Sequence, residues 1–432
     1  MTRELRKIVV SPQINTPEPF AGFGGFCGWP RICRLQNGDL YVAFSAGYGH
    51  ASWVNPRPDL PPQYAAYMER MLEGGATWPA PTGGHIMWTR SSDGGATWTR
   101  PRDLAVIPNA YAPGAITQVG DGTLYAATLI QRSHFWAQRI PRQPVEFLRV
   151  MNEHFPEEIA VLRSDDNGES WAEVSRTSGP FLSRLEHPCS LTEGSDGSLL
   201  MLLDGHAVPG AEDNRWVMAL LRSVDRGRTW ETRSIFGHPD YDLEEGHLAY
   251  LPDGRLATAA RPWGLWTTSA DEGETWSEPR PLLDLPAPSA GRKNPNAMKK
   301  GDLLTTADGT VVLLTCGGPG GSGQVLYSRD SGETWIKEAP DRGFQADRFA
   351  YYPSACLLPD DSLFMVGDHQ GFPNPYGPCG AEVVATRFRI LAAAEGEGIE
   401  ILPIGGALHE PWTAPQDAGG RADQKLQEDA SA

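Results

Sequence analysis

The sequence has little of several features that mark particular protein classes. Its six cysteines are scattered, with no CxxC pair, which indicates buried thiols rather than a disulfide framework. The 37 Lys and Arg are outnumbered by 54 Asp and Glu, and the net charge of −17 disfavours nucleic acid as a partner. No apolar run approaches the roughly 18 residues that a membrane helix needs, so no membrane partner is expected. The first ten residues lack the apolar core of a signal peptide, which predicts a cytoplasmic protein.

Glycine, proline and aromatic residues are abundant by contrast. The 48 Gly and 37 Pro make up about a fifth of the 432 residues, well above the roughly 12% typical of proteins. The 14 Trp, 12 Tyr and 14 Phe are too many apolar anchors for a disordered chain. This composition predicts a turn-rich globular protein with a substantial core.

Five segments share the pattern Ser-x-Asp-x-Gly-x-x-Trp, and each follows a short apolar run. We call them the Trp boxes: SSDGGATW (91–98), SDDNGESW (164–171), SVDRGRTW (223–230), SADEGETW (269–276) and SRDSGETW (328–335). In each box the Asp carboxylate can bond the N–H groups of a turn, the Gly allows a positive φ, and the Trp packs the turn against its neighbour. Five copies indicate a repeated structural unit.

A second element repeats in phase with the Trp boxes, a strand-like run that enters an Asn-Gly or Asp-Gly turn and leaves as another strand. The hairpin positions are Gly38, Gly122, Gly197, Gly254, Gly309 and Asp361, the last in the place of glycine. Each unit therefore has two hairpins and four strands, and the sixth unit lacks a box. Radial repetition of such units predicts an all-β fold, a six-bladed β-propeller of four-stranded antiparallel blades. Length alone suggests about three domains, but a ring closes only when all six units are present.

Trp boxes on six four-stranded units resemble the Asp boxes of the sialidase (neuraminidase) superfamily. The resemblance implies a sialidase-like propeller over residues 26–392, preceded by an N-terminal extension over 1–25. The C-terminal segment over 393–432 ends in a polar, Gly- and Ala-rich stretch that we expect to be disordered. In that family the boxes lie on the face opposite to the active site. Their aspartates are therefore expected to be structural, and no metal site is predicted.

The hairpin turns and the Trp boxes share the lower face of such a ring. The top of the ring, around the central axis, is then reached about seven to nine residues before each hairpin position and seven residues after it. Polar residues that converge there are candidates for a ligand site. They are Arg31, Asp204, Glu245, Arg261, Tyr352 and Asp368, with His187, His206, His247 and His369 within a few residues of the same rim.

Three of these positions are similar to the sialidase pattern. Arg31 begins an Arg-Ile sequence on the first inner strand, with the family's proline displaced to Pro30. Glu245 and Arg261 keep a spacing of sixteen residues around a hairpin, and Tyr352 precedes the sixth hairpin. The resemblance implies a Tyr352 nucleophile activated by Glu245, with the arginines binding a substrate carboxylate. A neutral phenol suits an anionic sugar because a carboxylate nucleophile would be repelled.

Each of these residues also has a structural interpretation. Arg31 could hold only the backbone of the inner strands, and Glu245 could form a buried ion pair with Arg261. Tyr352 could be a core aromatic residue, with Tyr351 as the tyrosine that faces the axis.

Two parts of the sialidase site do not follow the family pattern. The family's third arginine belongs in the fifth unit before its box, where this chain has GGSGQ (320–324). An arginine clamp on a carboxylate is bidentate and hard to replace. The candidate replacements are Arg132, Lys293, Lys299 and Arg348. The general acid is Asp59 in our interpretation, and Glu69 and Glu73 are the alternatives.

Two insertions, at about 46–84 and 131–156, fall between the second and third strands of their units and hence on the top face. Their segments QYAAYMERML and PVEFLRVMNEHF have helical spacing. We therefore expect helical insertions in blades 1 and 2, which cap the pocket, add a subsite or form the contact of a homo-oligomer.

The sequence thus predicts an exo-acting glycoside hydrolase of sialidase type. It would cleave a terminal, acidic sugar from a glycan with retention, through a glycosyl-enzyme intermediate and without a cofactor. A propeller glycosidase or lyase acting on a different sugar is the second hypothesis, because one arginine is missing. A non-catalytic carbohydrate-binding propeller is the third.

Overall fold

The computed structural model describes most of the predicted ring. It covers residues 7–20, 23–47, 84–107, 110–130, 157–181, 183–206, 216–262, 264–282, 300–316, 323–337 and 351–405. These residues form six antiparallel sheets of at least four strands each, so the predicted six-bladed propeller is confirmed. Within them no helix is long and apolar enough to cross a membrane.

The first three blades follow one another along the chain, each numbered from its innermost strand outward. Their strands are β2 (Phe26–Arg34), β3 (Leu40–Gly47), β4 (Gly84–Ser91) and β5 (Arg102–Ile107) in blade 1; β6 (Ala110–Gln118), β7 (Leu124–Ile130), β8 (Glu158–Ser164) and β9 (Ala172–Thr177) in blade 2; and β10 (Ser183–Glu193), β11 (Leu199–His206), β12 (Trp216–Ser223) and β13 (Glu231–Phe236) in blade 3.

The other three blades complete the ring in the same order. Their strands are β14 (Glu244–Tyr250), β15 (Leu256–Arg261), β16 (Leu265–Ser269) and β17 (Arg280–Pro281) in blade 4; β18 (Asp302–Thr305), β19 (Val311–Cys316), β20 (Gly323–Ser328) and β21 (Ile336–Lys337) in blade 5; and β22 (Tyr351–Leu357), β23 (Leu363–Asn374) and β24 (Gly377–Ile390), with β1 (Lys7–Val10) and β25 (Ile399–Leu402) paired to β24, in blade 6.

Blade 6 is built from both ends of the chain. Strand β1 pairs antiparallel with β24 through Lys7–Ala385 and Val10–Val383, so residues at the start of the sequence supply the outer strand of the last blade. The innermost strands contact one another in sequence order, and β22 contacts β2. The ring is therefore closed between blades 6 and 1 by this shared sheet.

The hydrophobic core lies between the blades. Strands β3 and β7 are buried along their whole length because each blade packs face to face with a neighbour on both sides. In the outer strands β9 and β13, by contrast, every residue is exposed or only partly buried. Buried apolar side chains in the described residues form six clusters, which lie mainly at the six interfaces between neighbouring blades.

The five Trp boxes form the same turn between the third and fourth strands. In the first box, Ser91 Oγ accepts the Gly95 N–H at 2.8 Å and donates to Asp93 Oδ1 at 2.8 Å. Asp93 also accepts the Thr97 N–H at 2.8 Å. Equivalent bonds from the residue before the tryptophan lower the pKa of Asp166 and of Asp271 to about 2. These carboxylates accept hydrogen bonds within their own turns, as the sequence predicts.

The boxes also fasten each blade to the one before it. A Cβ on Gly168 of blade 2 would lie 2.4 Å from the Tyr41 ring of blade 1, and Trp171 Nε1 donates to the Tyr41 hydroxyl at 3.1 Å. Trp276 of blade 4 donates in the same way to Ser234 of blade 3 at 3.0 Å. The glycine permits the close approach and the indole N–H finds its acceptor across the blade boundary.

The predicted helical insertions fall almost wholly outside the described residues. Strand β3 extends through Gly47 and β4 begins at Gly84, so the first insertion is shorter at both ends than the predicted 46–84. The second, 131–156, lies entirely outside the described residues. In the part of the chain that is described, the helical element is a 3-10 turn, Ala393–Glu395.

Candidate functional site

Six residues, one from each blade, stand at the same level around the top of the axis. Each lies nine positions before the hairpin position of its blade, and we call them the axial ring: Trp29, Pro113, Pro188, Glu245, Lys300 and Tyr352. Bulges interrupt the pairing of five innermost strands at this level, and in blade 5 the ring residue precedes the first strand. A bulge adds a residue to one strand and re-aims its side chain, which is common next to active sites.

Three members of the axial ring adopt the left-handed backbone region that favours glycine. Their φ angles are 51° at Trp29, 45° at Glu245 and 54° at Tyr352. Such a conformation costs about 1–3 kcal/mol at a non-glycine residue and persists where surrounding contacts enforce it.

Two buried aspartates supply such contacts. Asp204 Oδ2 in blade 3 accepts the Glu245 N–H of blade 4 at 2.8 Å, and Asp368 Oδ2 in blade 6 accepts the Trp29 N–H of blade 1 at 2.9 Å. Asp204 also accepts a bond from the Cys189 thiol at 3.3 Å. The two carboxylates lie seven positions after their hairpins, as expected, and in these contacts they hold backbone of the next blade.

Glu245 and Arg261 meet beside the ring. Glu245 Oε2 lies 2.9 Å from Arg261 Nε, and Glu244 Oε2 lies 2.8 Å from another guanidinium nitrogen of the same arginine. Glu245 is 3% exposed, and the Arg261 side chain is 24% exposed. The ion pair across the hairpin is thus present, and it places a carboxylate and a guanidinium together beside the ring.

Arg31 lies two positions further along its strand than the axial ring and is 4% exposed. Its Nε donates to the Gly114 carbonyl at 3.0 Å, and a terminal nitrogen approaches the Pro30 and Pro353 carbonyls at 3.4 and 3.5 Å. Burial lowers the pKa of Arg31, while the carboxylates of Asp302 and Glu245 oppose this shift. These contacts fit the structural interpretation, in which the arginine holds inner-strand backbone.

Lys300 is a buried member of the axial ring that the sequence pattern did not single out. It is 2% exposed, and its Nζ lies 3.3 Å from the Gly114 carbonyl oxygen that Arg31 also contacts. Burial and the neighbouring Arg31 charge lower the pKa of Lys300 to about 8. The position of Lys300 in the ring can be predicted from the sequence, because Lys300 precedes Gly309 by the same nine positions that separate Glu245 from Gly254.

Tyr352, the ring residue of blade 6, is half-buried. Its side chain stands edge-on to Trp29, with ring centroids 6.4 Å apart and an interplanar angle of 88°. Trp29 in turn packs against Phe26 at 4.5 Å. Aromatic residues thus form the wall of the site between blades 6 and 1.

Several predicted site residues have no described side chain. His187 pairs with Asp204 in the sheet and His206 ends β11, but the structure describes only their backbone. The others lie wholly outside the described residues: Asp59, Glu69, Glu73, Arg132, Lys293, Lys299 and Arg348. Their proposed roles stay predictions.

A polar channel of about 350 Å³ continues along the axis below the ring. His247 Nε2 lies 3.0 Å from Asp302 Oδ1, and Ser354 Oγ donates to Asp302 Oδ2 at 2.9 Å. Cys33 also lines the channel, and burial raises the pKa of its thiol to about 11. Among the described residues no three His, Cys, Asp or Glu side chains come together as metal ligands would.

No protein-family model matches the chain. A curated sialidase of Paraclostridium sordellii is 27% identical over a match that covers 35% of this chain and 46% of that protein. The chain therefore spans about half the length of this relative.

Solved structures share the fold over most of the chain. A Dyadobacter fermentans protein of unknown function is 17% identical with a TM-score of 0.57, covering 89% of this chain and 98% of that one. The intramolecular trans-sialidase from Ruminococcus gnavus is 13% identical with a TM-score of 0.55, covering 85% and 95%. The α-L-arabinanase of Penicillium chrysogenum is 14% identical with a TM-score of 0.51, covering 89% and 98%.

Together these comparisons confirm the resemblance to sialidases that the Trp boxes indicated. The chain has the six-bladed fold that sialidases share with other propellers, and part of its sequence is similar to a curated sialidase.

Proposed function

We propose that this chain is a glycoside hydrolase of sialidase-like type that acts on a terminal sugar bound at the axial ring. The observation that carries the proposal is the matched placement of Glu245 and Tyr352. Both occupy the ring position of a bulged inner strand, and both have a left-handed φ. A fold does not determine a reaction, so the proposal rests on this pair and on the sequence similarity to a sialidase.

In the proposed reaction the Tyr352 hydroxyl oxygen attacks the anomeric carbon while its proton passes to Glu245. The bond to the leaving group breaks, and a general acid, for which Asp59 is our candidate, protonates the departing oxygen. Water then cleaves the glycosyl-tyrosine bond with the reverse proton transfers, so the product retains its anomeric configuration. In this scheme the proton acceptor Glu245 is held by the Arg261 guanidinium, whose Nε lies 2.9 Å from its carboxylate.

The resemblance to sialidases favours an acidic terminal sugar as the substrate. In that case Arg31, Arg261 and Arg348, with His187 and His206 at the rim, would bind its carboxylate and hydroxyl groups. The insertions at 46–84 and 131–156 would close over the sugar as helical caps, or carry the contact of a homo-oligomer.

A neutral terminal sugar is the second candidate, and one observation favours it. Two nitrogens of Arg31 contact backbone carbonyls, and two nitrogens of Arg261 contact Glu244 and Glu245. An arginine whose donors face protein acceptors is a poor bidentate clamp for a substrate carboxylate. The arabinanase among the structural neighbours acts on a neutral sugar with the same fold.

A panel of fluorogenic glycosides tests the proposal. It should contain an α-sialoside, a uronide, and neutral pentosides and hexosides in both anomeric configurations. We expect turnover of at least one of them, and proton NMR of the first product formed should show retention. Inversion would contradict the tyrosine nucleophile, whereas glycan binding without any turnover would favour the non-catalytic propeller.

A further inference from the structure

Glu245 and Tyr352, the two residues proposed for the chemistry, lie within register breaks of their inner strands. Regular pairing resumes at His247 in blade 4 and at Ser354 in blade 6, each two positions after the ring residue. A bulge re-aims a side chain, and its direction then depends on how the strand is held beside it. The contacts of His247 and Ser354 therefore bear on how the proposed reacting groups face each other.

One carboxylate from blade 5 contacts both strands at these points. Asp302 Oδ1 lies 3.0 Å from His247 Nε2 of blade 4. Asp302 Oδ2 accepts the Ser354 hydroxyl at 2.9 Å and the Ala355 N–H at 2.8 Å, both from blade 6. Blade 5 stands between blades 4 and 6, and Asp302 lies at the same offset from its hairpin as His247 and Ser354 do. Asp302 therefore bridges the two strands that carry the proposed reacting groups.

The bridge has a donor for every acceptor position that it uses. The Leu303 N–H donates to Asp302 Oδ1 at 3.0 Å and to Nδ1 of His247 at 3.4 Å. Because Nδ1 accepts, Nε2 is the imidazole nitrogen that carries the proton towards the carboxylate. Asp302 and Ser354 are 4% and 3% exposed. A buried polar network whose members are all satisfied holds its groups in one arrangement.

A carboxylate is not needed at this place for stability alone. The blades are joined mainly by apolar clusters, and an ionised group buried between them loses its hydration. Burial raises the pKa of Asp302, but His247, Arg31 and the Ala355 N–H outweigh it and hold the pKa below its ordinary value. Apolar residues of similar volume often stabilise a fold as well as a buried charged group does. A buried charge next to proposed reacting groups is therefore typical of a functional role.

We propose that Asp302 is a positioning residue, which sets the separation and relative direction of Glu245 and Tyr352 by holding the inner strands of blades 4 and 6. The inference rests on the proposed function, in which the phenol proton of Tyr352 passes to Glu245. Such a transfer needs heavy atoms within about 2.6–3.2 Å in the reacting complex. A displacement of about 1 Å can cost roughly 100-fold in rate. Asp302 would thus act on kcat without touching the substrate.

Three substitutions in the full chain test the bridge. Asp302→Ala removes both arms and should lower kcat at least tenfold with KM changed less than threefold. Asp302→Asn keeps an acceptor oxygen for blade 6 and an amide that can meet His247, so it should lose less than threefold. His247→Phe removes only the arm to blade 4 and should lower kcat at least threefold, which decides the question if Asp302→Ala does not fold.

Ser234→Ala is the control for a lost contact between blades. The Ser234 hydroxyl of blade 3 accepts the Trp276 indole N–H of blade 4 at 3.0 Å and belongs to an outer strand. This variant should have a lower melting temperature and an unchanged kcat. Wild-type kcat in Asp302→Ala or in His247→Phe would overturn the proposal while leaving the glycosidase intact. Equal losses in Asp302→Asn and Asp302→Ala would also overturn it, because the charge rather than the contacts would then matter.

A measurement without substrate separates this inference from the proposed function. Fluorine NMR of protein labelled with 3-fluorotyrosine reports the surroundings of Tyr352, whose signal is assigned with Tyr352→Phe. We expect that signal to move by more than its linewidth in Asp302→Ala, or in Ser354→Ala should the first variant not fold. The signal of Tyr41, which is fully buried and contacts Gly168 of blade 2, should stay in place. A shift would support the positioning even if no glycoside were cleaved, and an unmoved Tyr352 signal would refute it even in an active enzyme.

Discussion

At the scale of single residues, the two proposed reacting groups share an uncommon backbone geometry with Trp29 of blade 1. Glu245 has a φ of 45°, and the Asp204 carboxylate holds its N–H at 2.8 Å from the next blade. Tyr352 repeats that backbone geometry in blade 6 with a φ of 54°. Residues in this region cost free energy in the folded state. Because this conformation recurs at one level of the axis, we infer that it is needed to direct these side chains.

Replacing Glu245 by glutamine keeps its shape but removes the proposed proton acceptor. We expect Glu245→Gln to lower kcat by about 100-fold or more with little change in KM, since general base catalysis typically contributes 10²–10⁴-fold. Glu244→Gln is the matched comparison, because Glu244 lies 2.8 Å from the same arginine. Its loss should stay below about tenfold in the same steady-state assay. Equal losses in the two variants would mean that the charge on Arg261 matters, rather than the basicity of Glu245.

Counting along the chain was enough to predict the sheet positions of part of the candidate site. Glu245 and Tyr352 lie on the innermost strands of their blades, as the offsets from the hairpin positions predict, because the hairpins fix the register of each blade. The contacts of Arg31 and Lys300 with Gly114 could not be predicted in this way. These partners are 83 and 186 residues apart in the chain, and side chains that cross the axis depend on the whole ring.

At the scale of elements, the Trp box joins a hairpin to the neighbouring blade. Its internal hydrogen bonds follow from the sequence pattern, since Ser, Asp and Gly stand at fixed offsets within one turn. Its contact with the previous blade does not follow from the pattern, because the partner differs from box to box. Tyr41 receives the Trp171 indole N–H, whereas Ser234 receives that of Trp276.

Alanine substitutions at two glycines of the boxes distinguish the cost of backbone strain from the cost of steric crowding. Gly168 and Gly94 both have a positive φ, of 84° and 67°. A Cβ on Gly168 would lie 2.4 Å from Tyr41, whereas one on Gly94 would meet nothing within 4 Å. We expect Gly94→Ala to lower the free energy of unfolding by about 1 kcal/mol and Gly168→Ala by about 3 kcal/mol. Chemical denaturation checks this, and equal losses would show that the box does not restrain the blade boundary.

At the scale of the whole molecule, ring closure explains why a chain of 432 residues forms one propeller rather than about three domains. The sequence predicted the number of blades from the repeats. It did not show that β1 completes blade 6, because Lys7–Val10 carries no repeat signature. Lys7 is buried there and donates to the Gly405 carbonyl at 2.8 Å, so both ends of the described chain meet at the closure.

Weakening β1 should therefore destabilise the entire ring. Val9 and Val10 are fully buried, and truncating each to alanine removes apolar contacts worth roughly 2 kcal/mol. We expect Val9→Ala and Val10→Ala together to lower the melting temperature in one cooperative transition. Val106→Ala is the control, since Val106 is 53% exposed. A double variant that melts like the wild type would show that closure through β1 does not support the ring.

We propose Tyr352 as the nucleophile of a retaining glycosidase, and the activities of two tyrosine variants decide whether it has this role. On the best substrate of the glycoside panel, kcat should be measured for Tyr352→Phe, with the adjacent Tyr351→Phe as the control. We expect a loss of at least about 100-fold for Tyr352→Phe and a value within about threefold of the wild type for Tyr351→Phe. Wild-type activity in a folded Tyr352→Phe variant would show that Tyr352 is not the nucleophile.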